Sequence, residues 1–166
     1  FNIKAFGLLK GLKLPVYVYS KVKIYHIGRI EFECPVSRGL ITIGMNKRDE
    51  ALCHTIWDNN GTIEVSGRLF INFGVKIVNQ GVITFGGDNA IGSACTITIE
   101  DRLDIGHDTS FGRRTDIMDS DSHFLIDVES RTIQRNSKPI RIGNYNWFGS
   151  NTFVKKGTVT PDYLLV

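Results

Sequence analysis

The feature of this sequence that most restricts its fold is the return of an aliphatic or aromatic residue at every sixth position. The repeating positions form columns: Ile63, Leu69 and Val75; Ile91, Ile97 and Leu103; Ile99, Ile105, Phe111 and Ile117; and Ile142, Phe148 and Val154. A helix would repeat at three, four and seven residues, and an isolated strand at two. A period of six therefore indicates short strands that are joined by corners and wind into a coil.

Glycine follows several of these residues, as in Ile105-Gly106 and Phe111-Gly112, and accepts the left-handed backbone angles of a corner. If each hexad is one strand and one corner, three hexads close a triangular coil. Every sixth side chain then points to the axis, where stacked coils bury it. Chance alternation in a β-sandwich is the alternative, but the unbroken register from Ile91 to Ile117 argues against it. The pattern predicts an all-β parallel coil.

The six-residue register is lost between Asp119 and Pro139, where the residues become polar. We expect an inserted loop over 119–139 that leaves the regular scaffold and rejoins it. A loop of this length on a compact domain is more often functional than decorative.

The loop and the residues after it resemble the hexapeptide-repeat acyltransferases, and within them the sugar O-acetyltransferases of the galactoside, maltose and capsular-polysaccharide type. The resemblance covers about residues 61–160 and combines the hexad register, a loop with His123, and a Pro-x-x-Ile-Gly-x-x-x-Trp-x-Gly run from Pro139 to Gly149. It implies a left-handed parallel β-helix, assembled as a homotrimer with active sites between subunits. It also implies acetyl-CoA as co-substrate and no metal.

The chemistry of acetyl transfer gives His123 a role. A sugar hydroxyl must lose its proton as it attacks a thioester, and imidazole is suited to that near neutral pH. By resemblance His123 is the general base, and we expect Asp119 or Asp121 to fix its tautomer. The three other histidines, His26, His54 and His107, lack this setting.

The resemblance also assigns residues to the co-substrate. The backbone amide of Ser150, after Gly149, matches the family position beside the thioester oxygen, and a donor placed there stabilises the developing oxyanion. Ser150 is also a small residue of the kind that a corner of the coil requires, and this structural role is compatible with the role of its amide. Lys155 and Lys156 are expected either to meet the phosphates of coenzyme A or to be solvated surface residues.

Two residues are assigned to the acceptor. Trp147 either stacks on a sugar ring or fills the groove between subunits. Small-sugar acetyltransferases carry an acceptor-binding Asn on an earlier coil, where this chain reads Ile91-Gly-Ser93-Ala. Ser93 is therefore expected at the acceptor, and the acceptor is expected to differ from a galactoside or maltose. The nine acids between Glu100 and Glu129 also disfavour a strongly anionic acceptor.

Length and charge set the domain organisation. The 166 residues suit one domain, and the net charge of +3 is too small to indicate nucleic acid. Residues 1–30 carry six basic side chains and no acid. We expect them to be an end cap with a solvated basic face, or a short amphipathic helix on a membrane surface. Residues 31–166 form the β-helix, and because family chains continue further, C-terminal coils are expected to be missing.

Cysteine usage and hydropathy indicate the compartment. Cys34, Cys53 and Cys95 have no paired spacing and are expected to be reduced thiols, as in a cytosolic protein. No run approaches the 18 apolar residues of a membrane span. We expect the protein to lie in the cytoplasm, either free or at the inner face of the membrane.

The leading hypothesis is an acetyl-CoA-dependent O-acetyltransferase acting on a sugar hydroxyl in bacterial surface-polysaccharide or glycolipid biosynthesis. N-acetyl transfer to an amino sugar and a non-catalytic β-helix scaffold are the alternatives. A zinc-dependent carbonic anhydrase on the same scaffold needs three converging histidines, and only His107 and His123 lie near the repeats.

Overall fold

A computed structural model describes residues 1–19, 21–45, 54–134 and 136–166, and within them one helix is followed by short strands. The helix α1 spans Asn2–Gly11 and is kinked at Gly7, where the backbone is not helical (φ 74°, ψ 179°). The strands are β1 Val16–Val18, β2 Val22–Ile24, β3 Arg29–Phe32, β4 Ile41–Met45, β5 Thr55–Asn59, β6 Thr62–Val65, β7 Leu69–Asn72, β8 Lys76–Asn79, β9 Val82–Phe85, β10 Asn89–Ile91, β11 Thr96–Ile99, β12 Arg102–Ile105, β13 Ser110–Phe111, β14 Asp116–Met118, β15 Leu125–Ile126, β16 Ile133–Gln134, β17 Ile140–Ile142, β18 Trp147–Phe148 and β19 Phe153–Lys155.

Three parallel sheets form the faces of a triangular coil. In stacking order, face A contains β1, β4, β7, β10, β13 and β18; face B contains β2, β5, β8, β11, β14 and β19; and face C contains β3, β6, β9, β12 and β17. The chain visits A, B and C in turn, and each strand lies beside its equivalent in the coil before. The predicted all-β, left-handed parallel β-helix is confirmed.

The residues of the hexad columns form the core. All of them are buried, and Ile63, Leu69 and Ile97 have no exposed area. Stacking in register places like side chains on one another, since Ile77 pairs with Ile97 and Ile97 with Ile117. Burying one such side chain contributes about 1.5–3 kcal/mol. The axial stack therefore holds the coils together.

The central coils are longer than the three hexads that the sequence pattern predicts. Ile77, Ile97 and Ile117 follow one another at 20 residues, as do Ile63 and Ile83. A spacing of 18 residues occurs in the last turn, where Arg141 pairs with Val159. The expectation is wrong for the central coils because their corners hold extra residues, so successive strands begin six to eight residues apart.

The corners between faces A and B, called corner AB, require a left-handed backbone. Ala94, Arg114 and Asn151 have φ of 59°, 56° and 62° at equivalent positions. Each donates its backbone N–H to the coil before, as Arg114 does to the Ser93 carbonyl at 3.0 Å and Asn151 to the Arg113 carbonyl at 2.9 Å. These hydrogen bonds hold non-glycine residues in a conformation that they otherwise avoid.

Helix α1 covers the N-terminal end of the core. Phe1 packs edge-on against Trp57, with ring centroids 6.3 Å apart, and Phe6 packs against Phe32 at 5.2 Å. The Asn2 side chain bonds both the N–H and the carbonyl of Val16. Strands β1 to β3 already pair with the next coil, so the β-helix begins inside the segment 1–30 that the sequence analysis treated as the cap.

Two of the cysteines lie in described parts of the chain, and Cys34 and Cys95 are free thiols. Burial raises the pKa of the Cys95 thiol, which donates to the Gly112 carbonyl. Cys53 lies outside the described residues. Among the described residues, no helix has the length and apolar character needed to cross a bilayer.

Candidate active site

The inserted loop replaces the corner between faces B and C, called corner BC. It leaves after β14 and returns at β17. At its base Ser120 and Ser137 form an antiparallel bridge, and the Lys138 N–H bonds the Asp119 carbonyl at 2.9 Å. Strands β15 and β16 make a hairpin further out. The two ends of the loop are thus joined, and the short segment with His123 is held beside the coil.

Asp119 anchors this base from inside the coil. Its carboxylate is fully buried and accepts three backbone N–H groups of the preceding coil: Glu100 at 2.9 Å, Asp101 at 2.7 Å and Arg102 at 2.9 Å. Both oxygens are used, and neither bonds His123. The geometry therefore gives Asp119 a structural role, and the expectation that it orients the histidine does not hold within this chain.

Lys156 ties the loop to the last strands. Its ammonium group forms an ion pair with Asp121 and donates to the carbonyl and the side-chain oxygen of Asn136, at 3.1 and 3.0 Å. An ammonium has three N–H donors, and these three acceptors engage all of them. Asp121 is likewise turned to Lys156 and not to His123. The pair acts as a clamp across the loop base.

His123 is exposed and lines a cleft of about 290 Å³, called the loop cleft. Met118, Phe153 and Lys155, which point outward from face B, form its floor. The Lys155 ammonium lies 5.6 Å from the centre of the Phe153 ring, within cation–π range. No hydrogen bond to the His123 ring is formed within the described part of the chain. Its two nitrogens are therefore open to a ligand.

Ser150 lies at corner AB between β18 and β19, exposed to solvent. Its backbone N–H has no acceptor among the residues that the structure describes. With Arg113, Arg114 and Asn151 it lines a second cleft of about 150 Å³, called the arginine notch. Gly149, just before it, bonds Val166 through its own N–H at 2.7 Å. The predicted amide donor is thus present and unpaired.

The two clefts do not form one site in a single chain. His123 is at corner BC and Ser150 at corner AB, so the widths of β14 and β19 separate them. Trp147 lies elsewhere, with 60% of its surface exposed on face A. Ser93 is two coils before Ser150, and Arg113 lies between them. The structure therefore groups His123 with Asp121, Lys155 and Lys156, and leaves Trp147 and Ser93 apart.

Four residues near the two clefts were missed by sequence reasoning: Arg113, Arg114, Asn136 and Phe153. The signal for the arginines was present, because Arg113-Arg114 follows Phe111-Gly112 at a corner where the hexad pattern favours small residues. Asn136 gave no comparable signal, since its role depends on the folded loop.

Metal binding has no visible basis in the described ranges, where no three His, Cys, Asp or Glu side chains are grouped.

Comparison with known proteins finds a likeness among solved structures. No family model matches the chain, and no curated protein matches it. The crystal structure of the polySia-specific acetyltransferase NeuO is similar, with a TM-score of 0.59 and 22% identity over 90% of this chain and 73% of that chain. At this identity, the likeness shows a shared fold.

Proposed function

We propose that the protein is an acetyl-CoA-dependent O-acetyltransferase that acts on a sugar hydroxyl. The observation that carries the proposal is His123, an exposed imidazole with no hydrogen-bond partner among the described residues, held beside a cleft by a clamped loop. An unpaired imidazole near neutral pH is the group that general base catalysis requires.

The reaction balances without a covalent enzyme intermediate. A nitrogen of His123 takes the proton of the sugar hydroxyl as its oxygen forms a bond to the thioester carbonyl carbon. The bond from carbon to sulfur breaks, and the proton passes from the imidazolium to the departing thiolate. The products are the acetyl ester and coenzyme A.

The unpaired N–H of Ser150 supports a role as the donor to the thioester oxygen. Because His123 and Ser150 lie at opposite ends of face B, we propose that the complete site forms between two copies of the chain. One copy supplies the loop cleft and the other the arginine notch. The homotrimer implied by the resemblance has this arrangement.

The lysines receive different roles in the proposal. Lys155 is exposed and remains a candidate for the phosphates of coenzyme A. Lys156 is fully engaged by Asp121 and Asn136, so we assign it to holding the loop. Gly149 keeps the chain close to Val166 beside the Ser150 amide, since a Cβ there would lie 3.0 Å from the Val166 carbonyl oxygen.

We propose a glycan as acceptor, in bacterial surface-polysaccharide or glycolipid assembly in the cytoplasm. The similar fold of a polySia-specific acetyltransferase supports a polysaccharide acceptor. The exposed ring of Trp147 is available to stack on a sugar.

The test is transfer of radiolabelled acetyl from acetyl-CoA to a panel of oligosaccharides, followed by mild alkali. We expect label in the glycan that alkali releases, because esters are hydrolysed under conditions in which amides persist. Label that survives alkali indicates N-acetylation instead. A folded protein that neither binds acetyl-CoA nor labels any glycan supports the scaffold alternative.

Replacing Ser150 with proline is expected to lower kcat about 100- to 1000-fold, because the substitution removes the N–H proposed to stabilise the developing oxyanion. Ser150→Ala keeps the N–H and is the matched comparison. Circular dichroism verifies that both variants are folded. Equal turnover of the proline and alanine variants contradicts the role of the amide.

We also propose that α1 contacts a membrane surface. Ile3, Leu8, Leu9 and Leu12 are exposed although apolar, Leu9 by 85%, and Lys4, Lys10 and Lys13 accompany them. Such a combination favours anionic lipid.

Leu9→Glu is expected to reduce co-sedimentation with phosphatidylserine-containing vesicles about tenfold or more, since burying one leucine is worth about 1.5–3 kcal/mol. Val159→Glu, an exposed apolar residue at the far end of the coil, is the control. If the wild-type protein stays in the supernatant with these vesicles, the proposed contact is wrong.

A further inference from the structure

We propose that Arg113 and Arg114 bind a carboxylate of the acceptor, so that the site marked by Ser150 selects an acidic glycan. This inference rests on the proposed function, because it names the substrate class of the same site. It also reverses the expectation that the acceptor is not strongly anionic.

The arginine notch has the composition of an oxyanion site. Both guanidinium groups belong to exposed residues and border the exposed corner with the unpaired Ser150 amide. The Arg114 side chain makes no ion pair or hydrogen bond within the described chain. Arginine presents a planar fork of N–H donors that matches a carboxylate with two parallel hydrogen bonds.

The backbone geometry of this corner does not require arginine at position 114. The equivalent pairs are Ser93-Ala94 one coil earlier and Ser150-Asn151 one coil later, both uncharged. All three corners share the same left-handed residue and the same backbone hydrogen bond to the preceding coil. A small or amide residue therefore satisfies the corner, and the positive charge of Arg114 meets no requirement of the backbone there.

The position of the notch identifies the ligand as the acceptor. In the proposed reaction the thioester lies at the Ser150 amide, and the acceptor hydroxyl must reach it there. The phosphates of coenzyme A are separated from the thioester by the whole pantetheine arm. An anion bound beside Ser150 therefore belongs to the acceptor sugar, whose ring substituents lie within reach of the hydroxyl that reacts.

The acids of the loop do not oppose this inference, because several face other partners. Asp119 is buried against backbone N–H groups, and Asp121 is paired with Lys156. Asp127 accepts the N–H groups of Glu129 and Ser130 at 3.0 and 2.8 Å. The acidic composition between Glu100 and Glu129 therefore overstates the negative charge that an acceptor meets.

The experiment compares wild type, Arg114→Gln and the double variant Arg113→Gln/Arg114→Gln. The probes are oligosaccharides of uronic and nonulosonic acids, each with its carboxyl-reduced, neutral counterpart. Binding is measured by calorimetry without acetyl-CoA, and KM is measured in the transfer assay. Arg68→Gln is the control for Arg114→Gln, because Arg68 is an exposed arginine at another corner and its replacement also removes one positive charge.

We expect wild type to prefer an acidic probe over its reduced form, and the double variant to bind the acidic probe about 10- to 100-fold more weakly. In the double variant, binding of the reduced probe and KM for acetyl-CoA are expected to be unchanged. The Arg68→Gln variant is expected to bind the acidic probe as tightly as wild type does. Arg114→Gln alone is expected to show part of the loss.

Each of the following outcomes overturns the inference. In the first, wild type binds the acidic and reduced probes equally. In the second, the double variant loses affinity for both. In the third, KM for acetyl-CoA rises and the rise disappears with dephospho-coenzyme A derivatives, which assigns the arginines to the donor phosphate. Transfer to neutral glycans with no effect of the arginine variants leaves the proposed function standing and removes this inference alone.

Discussion

Replacing His123 with alanine is expected to lower kcat/KM for acetyl transfer about 100- to 10,000-fold, the usual contribution of a positioned general base. The loss has one physical cause, because without imidazole the sugar hydroxyl must attack while still protonated or give its proton to water. Stability is expected to be unchanged, since His123 is exposed and forms no hydrogen bond within the described chain. Binding of acetyl-CoA is also expected to persist, because the base acts on the acceptor.

His26→Ala is the matched control for this variant. His26 is exposed at corner BC, as His123 is, but in the first coil, where it pairs with Asp58 at 2.8 Å. Steady-state kinetics and thermal unfolding of both variants are the measurements. Added imidazole is expected to restore part of the activity of His123→Ala. It is expected to leave the activity of His26→Ala no higher than that of wild type. Unchanged turnover of His123→Ala would remove the proposed mechanism.

Replacing Asp119 with alanine is expected to destabilise the fold by about 2–4 kcal/mol. The carboxylate is fully buried and accepts three backbone N–H groups, and hydrogen bonds to a charged group contribute about 1.5–3 kcal/mol each when they cannot be replaced. Water reaches part of this corner, since Glu100 and Arg102 are exposed, so the loss is less than the sum of three bonds. Urea unfolding measures the change in free energy.

The control for Asp119 is Asp121→Ala, which removes an exposed carboxylate paired with Lys156 and is expected to cost no more than about 1 kcal/mol. Activity distinguishes the structural role from a catalytic one. At a temperature where Asp119→Ala is still folded, we expect its turnover to stay within tenfold of wild type. A stable Asp119→Ala variant with turnover as low as that of His123→Ala would instead make Asp119 the partner that orients the base.

The acidic residues show where sequence reasoning failed. Asp119 and Asp121 flank His123 closely in the chain, and this proximity predicted that one of them bonds the imidazole. In the structure Asp119 turns into the coil toward Asp101, and Asp121 turns to Lys156. A few residues of separation in a loop do not define side-chain direction, because the loop base is shaped by bonds between residues 17 to 35 positions apart.

The cofactor residues show the same limit. Lys155 and Lys156 are equivalent as sequence, two adjacent lysines before a glycine. In β19 and its corner one points outward over Phe153, and the other reaches Asn136 across the loop. Successive side chains along a strand point to opposite sides, so the two lysines face different surroundings. Only Lys155 remains available for a phosphate.

The sequence by itself determined the architecture. Burial along the axis depends on a short repeat, so the hexad columns predicted the core, and the break in the register predicted the loop at 119–139. Only the tertiary structure decided the 20-residue coil, the clamp between Lys156 and Asp121, and the notch of Arg113 and Arg114 beside Ser150. The physical reason is that apolar burial follows a local period, whereas polar side chains find partners on other coils, at distances along the chain that no local pattern encodes.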